Sequence, residues 1–99
     1  MAISAQQAYN EIKAYIDKSG EPYRSWYVGI ASSPRNRLFE DHNVSEENGR
    51  WIYRTCSTDK DARAVEEALL KLDCDGDVGG GDESTTAVYA YVKTSNTNP

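Results

Sequence analysis

Two long segments of the chain have apolar residues at the spacing of an amphipathic helix. The first begins at a capping box formed by Ser4 and Gln7 and ends at Gly20. The second begins at a capping box formed by Thr58 and Asp61 and runs through Leu72. The residues that recur at helical spacing in the first are Ala8, Ile12, Tyr15 and Ile16, and the second places Ala62, Val65 and Leu69 on one face, with Ala68 and Leu70 beside them.

Three shorter segments are rich in aromatic and β-branched residues, a composition that favours strands. They cover residues 24–31, 50–56 and 87–93. Because side chains alternate between the two faces of a strand, Trp51 and Tyr53 are expected on one face of the sheet and Ile52 on the other.

A short helix is predicted between the first two strands. Ser33 can cap its amides and Pro34 suits the first helical position, so the helix should run to about His42. The whole pattern has the order α-β-α-β-α-β and predicts an α+β fold with a three-stranded, mostly antiparallel sheet flanked by helices. Residues 1–93 form a single domain in this interpretation, and residues 94–99 form a flexible tail.

The composition suits one small domain that works inside a cell. A chain of 99 residues can bury one modest core. Cys56 and Cys74 are too few cysteines for a secreted domain of this size, so we expect reduced thiols and a cytoplasmic location. No apolar run reaches membrane-spanning length, a single histidine makes a poor zinc site, and neither haem nor a nucleotide cofactor is expected.

The net charge of −5 argues mildly against a nucleic-acid partner, because phosphate contacts need positive charge. The charge is uneven, however. Residues 59–83 hold nine of the 16 acidic residues, which leaves the rest of the chain slightly basic. A basic face beside an acidic loop is therefore possible. The arginines in the middle of the chain are Arg24, Arg35, Arg37, Arg50 and Arg54.

The segment WYVGIASSPRNRLFEDH resembles the second signature of the GIY-YIG nuclease superfamily, which includes homing-endonuclease catalytic domains. Tyr27, Val28 and Gly29 match the Tyr-Ile-Gly element, and Arg37 falls where the family places its arginine. Further on, VEEALLK resembles the family's third-helix motif and puts Glu66 on the metal-binding glutamate.

The resemblance implies a metal-dependent endonuclease that hydrolyses DNA with Mg²⁺ or Mn²⁺. In this interpretation Tyr27 orients or activates water, Arg37 clamps phosphate and Glu66 binds the metal. An arginine offers a planar fork that matches phosphate oxygens, and hydrated Mg²⁺ needs few protein ligands. The residues expected to contact the substrate are Arg35, His42, Arg54 and Trp26, the last by stacking on a base.

The chain departs from the family's pattern in three places. The asparagine common after the family's glutamate helix is absent from the stretch LDCDGDVGGGDE. The family's first signature, a Gly-Ile-Tyr strand, is absent ahead of Tyr27, and we expect the last strand, AVYAYVK, to fill its place and supply Tyr89 or Tyr91. His42 lies one position beyond the histidine common after the family's arginine, which favours a helix-terminal role over a catalytic one.

The loop DCDGDVGGGDE has the alternating aspartates of a calcium loop, but position six is Val78 and position twelve is Ser84, where glycine and glutamate are needed. It is interpreted as a flexible acidic loop beside the site.

Each candidate residue also has a purely structural interpretation. Tyr27 could be a half-buried strand tyrosine, Arg37 a solvated arginine and Glu66 an exposed acid. The alternative function is a non-catalytic domain of the same fold that binds a protein partner or a nucleic-acid structure.

Overall fold

The three predicted strands form one antiparallel sheet in a computed structural model that describes residues 2–76 and 81–99. The fold is a small α+β domain with three antiparallel strands and three helices. The elements, in chain order, are α1 (Ala5–Ser19), β1 (Trp26–Ala31), α2 (Pro34–Asn36, continued by a π-helical turn, Arg37–Asp41), β2 (Trp51–Thr55), α3 (Asp59–Leu70) and β3 (Ala87–Val92), with a 3₁₀ turn (Tyr23–Ser25) before β1.

The last strand lies in the middle of the sheet, in the order β1-β3-β2. It pairs with both neighbours in an antiparallel register. Tyr27 of β1 and Trp51 of β2 flank Tyr91, while Gly29 and Tyr53 flank Tyr89. The register therefore places Tyr91 between two aromatic side chains, and Tyr89 between a glycine and a tyrosine.

Helices α1 and α3 cover one face of the sheet and enclose the main core. Ile52 faces this core, as the alternation in β2 predicts. Tyr15 of α1 lies at the edge of the helix's apolar face, 37% exposed, with its ring edge-on to Trp26. The buried residues of this core are Ala8, Ile12, Ile16, Trp26, Val28, Ile52, Cys56, Ala62, Val65, Leu69, Cys74, Val88 and Ala90. Both cysteines are free thiols.

The opposite face packs against α2 and the segment that follows it. Tyr27, Tyr89 and Tyr91 are buried here against Leu38 and Val44. The partly buried rings of Phe39, Trp51 and Tyr53 lie at the edge of this second cluster. The sheet thus has an aliphatic face and a tyrosine-rich face.

The two long helices begin at the predicted caps. The Ser4 hydroxyl accepts from Gln7 N at 3.1 Å, and the Thr58 hydroxyl accepts from Asp61 N at 3.1 Å. Gly20 closes α1 in the left-handed conformation, with φ of 79°. The predicted cap at Ser33 is wrong, because its hydroxyl makes no capping bond in the part of the chain described. With only three residues in regular α-helix there, the backbone Ser33 O accepts from Arg37 N instead.

The helix predicted to reach His42 is regular only as far as Asn36. It then widens into a π-helical turn in which His42 N donates to Arg37 O at 2.9 Å, five residues back. The wider turn fits one extra residue into the same helical advance.

Both edges of the sheet carry an additional backbone contact. Beside β1, Val28 N donates to Asp75 O and Asp75 N donates to Trp26 O, each at 2.8 Å. Beside β2, Ile3 N donates to Thr55 O at 2.9 Å. These hydrogen bonds satisfy backbone N–H and C=O groups on the outer edges of β1 and β2 that could otherwise pair with a strand of another chain. Residues 77–80, the centre of the loop predicted to be flexible and acidic, lie outside the described residues.

Over residues 2–76 and 81–99, no helix is both long and apolar enough to cross a membrane.

Candidate functional site

Tyr27, Tyr91 and Tyr89 lie side by side on the tyrosine-rich face because β3 pairs with β1. The rings of Tyr27 and Tyr91 stack at a centroid distance of 5.4 Å. The sequence predicted that the last strand would bring a tyrosine to Tyr27, and the structure has that juxtaposition.

His42 lies among these three tyrosines. Its Nε2 is 2.7 Å from the Tyr89 hydroxyl and its Nδ1 is 3.0 Å from the Tyr91 hydroxyl. Its ring centroid is 4.9 Å from that of Tyr27. We call Tyr27, His42, Tyr89 and Tyr91 the tyrosine–histidine cluster.

The interpretation of His42 as a helix-terminal residue is incomplete, because its side chain lies at the centre of the tyrosine–histidine cluster. It does end the π-helical turn, but its side chain is buried and hydrogen-bonded within the cluster. A π-helical turn brings residue i+5 near the position that i+4 takes in a regular helix. The extra residue between Arg37 and His42 is absorbed in this way, and no sequence pattern signals the wider turn.

The ring of Tyr89 lies across Gly29 of the neighbouring strand. A Cβ at position 29 would collide with the end of that ring, including its hydroxyl oxygen. The glycine of the Tyr-Val-Gly element is thus required by the close approach of Tyr89.

Arg37 lies at the exposed side of the cluster. Its Nε is 3.4 Å from Asp41 Oδ2, and its side chain is 49% exposed. The charge of the guanidinium also acts to lower the pKa of the Tyr89 phenol. It lines a cavity of about 400 Å³, between the end of β1 and the segment before β3; the other lining residues are Ile30, Ala31, Ser32, Ser33, Asn36, Gly81, Asp82, Ser84 and Thr85.

Glu66 is buried on α3, with 2% of its surface exposed, which excludes the interpretation as an exposed acid. Desolvation raises the pKa of its carboxyl to about 7, although the charge of Arg63 acts in the opposite direction. The charge of Glu66 in turn contributes to raising the pKa of Tyr89, so the carboxylate and the phenol are within electrostatic range.

Burial dominates the acid–base properties of the two β3 tyrosines. Desolvation raises the pKa of Tyr89 to about 12, against the lowering effect of Arg37. It also raises the pKa of Tyr91 above its ordinary range, and Tyr27, Tyr89 and Asp75 add to that shift. Neither phenol is therefore a stable phenolate near neutral pH, and each needs a neighbour to take its proton.

Three of the predicted substrate-contacting residues lie away from the cluster. Trp26 is fully buried in the core beneath α1, on the opposite face of the sheet, so it cannot stack on a base. Arg54 pairs with Glu11 of α1, with 2.6 Å between Nε and Oε1. Arg35 pairs with Glu46 and lies over the ring of Phe39. Strand alternation sends Trp26 to the face opposite that of Tyr27.

The residues present suit a hydrated cation better than a cage of side chains. No group of three metal-ligating side chains occurs in the described ranges. Glu66, however, is a carboxylate that α3 buries, with the charge of Arg63 within electrostatic range. A hydrated Mg²⁺ or Mn²⁺ that keeps most of its waters needs only such a single carboxylate from the protein.

Comparisons of this chain with protein-family models, with curated proteins and with solved structures find no match. The function therefore has to be inferred from the geometry and chemistry of the site itself.

Proposed function

We propose that this chain is a GIY-YIG-like, metal-dependent endonuclease that hydrolyses phosphodiester bonds in DNA. One observation carries the proposal. The Tyr89 hydroxyl is hydrogen-bonded to His42, lies beside Gly29 and interacts with both Arg37 and Glu66. Residues from β1, α2 and β3 thus surround a single phenol, and the charge of Glu66 on α3 acts on it.

The last strand would take the place of the family's first signature strand, which is absent ahead of Tyr27. It pairs with β1 and places Tyr91 opposite Tyr27. A permuted arrangement, in which β3 takes the place of the family's first signature strand, accounts for both the pairing and the missing N-terminal signature.

Each residue has a role that its environment supports. Arg37, exposed at the cavity, would hold the phosphate with its planar guanidinium. Glu66 would hold Mg²⁺ or Mn²⁺, which when bound would stabilise charge on the phosphoryl oxygens. Tyr27 keeps 7% of its surface exposed and would orient the attacking water, while Tyr89 would receive that water's proton.

A second function, a non-catalytic domain that binds a protein partner or a nucleic-acid structure, is favoured by the depth of the site. Tyr89 is 1% exposed and Tyr91 is fully buried. A tyrosine cluster this deep could serve the fold alone, with the exposed rim around Arg37 left for binding. Catalysis requires substrate to reach Tyr89 past that rim.

The two functions are separated by a nicking assay on supercoiled plasmid with Mg²⁺ or Mn²⁺. The wild-type chain is compared with Glu66→Ala, Glu66→Gln and Arg37→Ala, and with Glu67→Gln and Arg24→Ala as controls at exposed positions nearby in sequence. We expect nicking that the changes at Glu66 and Arg37 abolish and that the control changes leave intact. Absence of nicking, or equal nicking by all six proteins, would overturn the endonuclease and favour the binding domain.

A further inference from the structure

The C-terminal tail does not extend away from the domain. Asn98 N donates to His42 O at 2.8 Å, and Asn98 O is 2.6 Å from His42 Nδ1. A further bond runs from Asn43 Nδ2 to Asn96 O at 2.9 Å. The segment predicted to be flexible thus makes a two-point backbone contact with the histidine of the cluster.

These bonds determine the tautomer of a neutral His42. A backbone carbonyl can only accept, so Nδ1 must carry the proton shared with Asn98 O. Nε2 then has a free lone pair and must accept from the Tyr89 hydroxyl, 2.7 Å away. With its own proton directed to His42, the Tyr89 oxygen can accept from Arg37. The Tyr91 hydroxyl, 3.0 Å from Nδ1, could donate to an unprotonated Nδ1, but that tautomer would leave the Nδ1 lone pair facing the Asn98 carbonyl; with Nδ1 protonated, Tyr91 can only accept a share of that proton. The Asn98 carbonyl therefore sets the direction from Tyr89 to His42 to Asn98.

We propose that the tail is a positioning element of the site, in which the Asn98 carbonyl holds His42 as the Nδ1–H tautomer so that Nε2 can take the Tyr89 proton. The proposal rests on the proposed function for its chemical use. It resembles the arrangement in which a base next to a nucleophile is oriented by a third group. Here the third group is a backbone carbonyl, so the Asn98 side chain is not required.

The proton movements balance. As the attacking water loses a proton to the Tyr89 oxygen, the phenolic proton of Tyr89 passes to His42 Nε2. The imidazolium that results keeps its Nδ1–H bond to Asn98 O. The water oxygen bonds to phosphorus while the bond from phosphorus to the leaving oxygen breaks, and that oxygen takes a proton from solvent. Tyr89 never becomes a free phenolate, which its burial would oppose.

Nitrogen-15 NMR of the histidine ring tests this directly, because His42 is the only histidine in the chain. In the metal-free wild-type protein, with the imidazole neutral, we expect a protonated Nδ1 and an unprotonated Nε2. The variants are a chain ending at Lys93, Asn98→Pro, which removes the amide that donates to His42 O, and Asn98→Ala, which keeps the backbone. The first two should give a mixture of tautomers, and Asn98→Ala should match the wild type. Backbone amide spectra show whether each variant is folded.

A protonated Nε2 in the wild type, or an unchanged Nδ1–H tautomer in both folded tail variants, would overturn the proposal. In the nicking assay, loss of the tail should lower kcat at unchanged KM by at least about tenfold, and by no more than the roughly 10²–10⁴-fold that positioned proton transfer contributes. Equal kcat with and without the tail would also overturn it. Absence of nicking by the wild type would count against the endonuclease, whereas the tautomer measurement needs neither DNA nor metal and decides the positioning separately.

Discussion

At the scale of single residues, Glu66 and Gly29 show how the site constrains the fold. Glu66 is an acid that the fold buries at a cost in stability, and Gly29 is a glycine that a neighbouring ring requires. The sequence identified both positions through their motifs. It did not predict the burial of Glu66, because a glutamate on an amphipathic helix is far more often exposed.

Replacing Glu66 by Gln should stabilise the protein in a pH-dependent way. The pKa of Glu66 is raised from 4.5 to about 7 on folding, so the folded state holds its proton more tightly and loses stability as the pH rises through this window. The Glu66→Gln side chain stays neutral at every pH. The variant's free energy of unfolding should therefore exceed that of the wild type by little below pH 4.5 and by at most about 3 kcal/mol above pH 7. Urea unfolding at pH 4.5 and pH 8 measures the difference, with Glu67→Gln as the exposed control. An equal effect of Glu66→Gln at both pH values would contradict the shifted pKa.

Mg²⁺ or Mn²⁺ should offset the loss of stability that comes from burying the ionised carboxylate of Glu66. A cation at Glu66 favours the ionised carboxylate, so millimolar Mg²⁺ should raise the melting temperature of the wild type at pH 8 and leave that of Glu66→Gln unchanged. Differential scanning fluorimetry with Ca²⁺ and with Na⁺ at matched ionic strength provides the controls. An equal rise in both proteins would place any bound cation elsewhere.

Gly29→Ala should destabilise the protein through Tyr89. The added methyl would meet the end of the Tyr89 ring, and overpacking of this kind costs about 1–3 kcal/mol. In a double-mutant cycle, Tyr89→Ala should remove most of that cost by removing the ring. Independent, additive effects in urea unfolding would show that the two residues do not meet.

At the scale of elements, the long helices and the strands follow local chemistry, and the short helix does not. Ser4 and Thr58 act as the capping residues that their positions indicate, and alternation assigns Trp51, Ile52 and Tyr53 to the correct faces. Between Arg37 and Asp41, packing of Leu38 against the tyrosines and the pairing of His42 accompany a wider turn. Propensity contains no information on such tertiary contacts.

A matched pair of cap substitutions tests this distinction. Thr58→Ala should cost about 1 kcal/mol, because its hydroxyl accepts from the Asp61 amide at the start of α3. Ser33→Ala should change stability by less than about 0.5 kcal/mol, as for a surface substitution away from any structural feature. Both are read from urea midpoints at constant m-value. A larger loss at Ser33 than at Thr58 would reverse the assignment of the caps.

At the scale of the whole molecule, the sequence predicts the parts of the site better than their assembly. It predicted three antiparallel strands, the residues on each face and a tyrosine from the last strand next to Tyr27. The central position of His42 depends on an irregular turn and on a tail 56 residues away in sequence, which local patterns cannot register. The pairing of charges also depends on tertiary contacts. Arg35 and Arg54 add positive charge in the sequence, but each is paired with a glutamate in the fold.

This pairing predicts how the protein should bind DNA. The net charge is −5, and besides Arg35 and Arg54, Arg50 also lies in an ion pair, with Glu21. Arg37 is 3.4 Å from Asp41, and its guanidinium lines the cavity. Few phosphates can then be neutralised at once, so the logarithm of the binding constant should fall with the logarithm of salt concentration with a slope no steeper than about −2.

Fluorescence anisotropy of a labelled oligonucleotide, titrated in Ca²⁺ at several salt concentrations, measures that slope. Arg37→Ala should make it shallower by about 0.9, the value for one phosphate contact, while Arg24→Ala should leave it unchanged. A slope near −5 in the wild type would require a much broader basic surface than the described arginines form, and it would move the DNA contact away from Arg37. A shallow slope that depends on Arg37 instead fits a site that binds one phosphate beside the buried carboxyl of Glu66. The cation would then supply the positive charge that the acidic chain lacks.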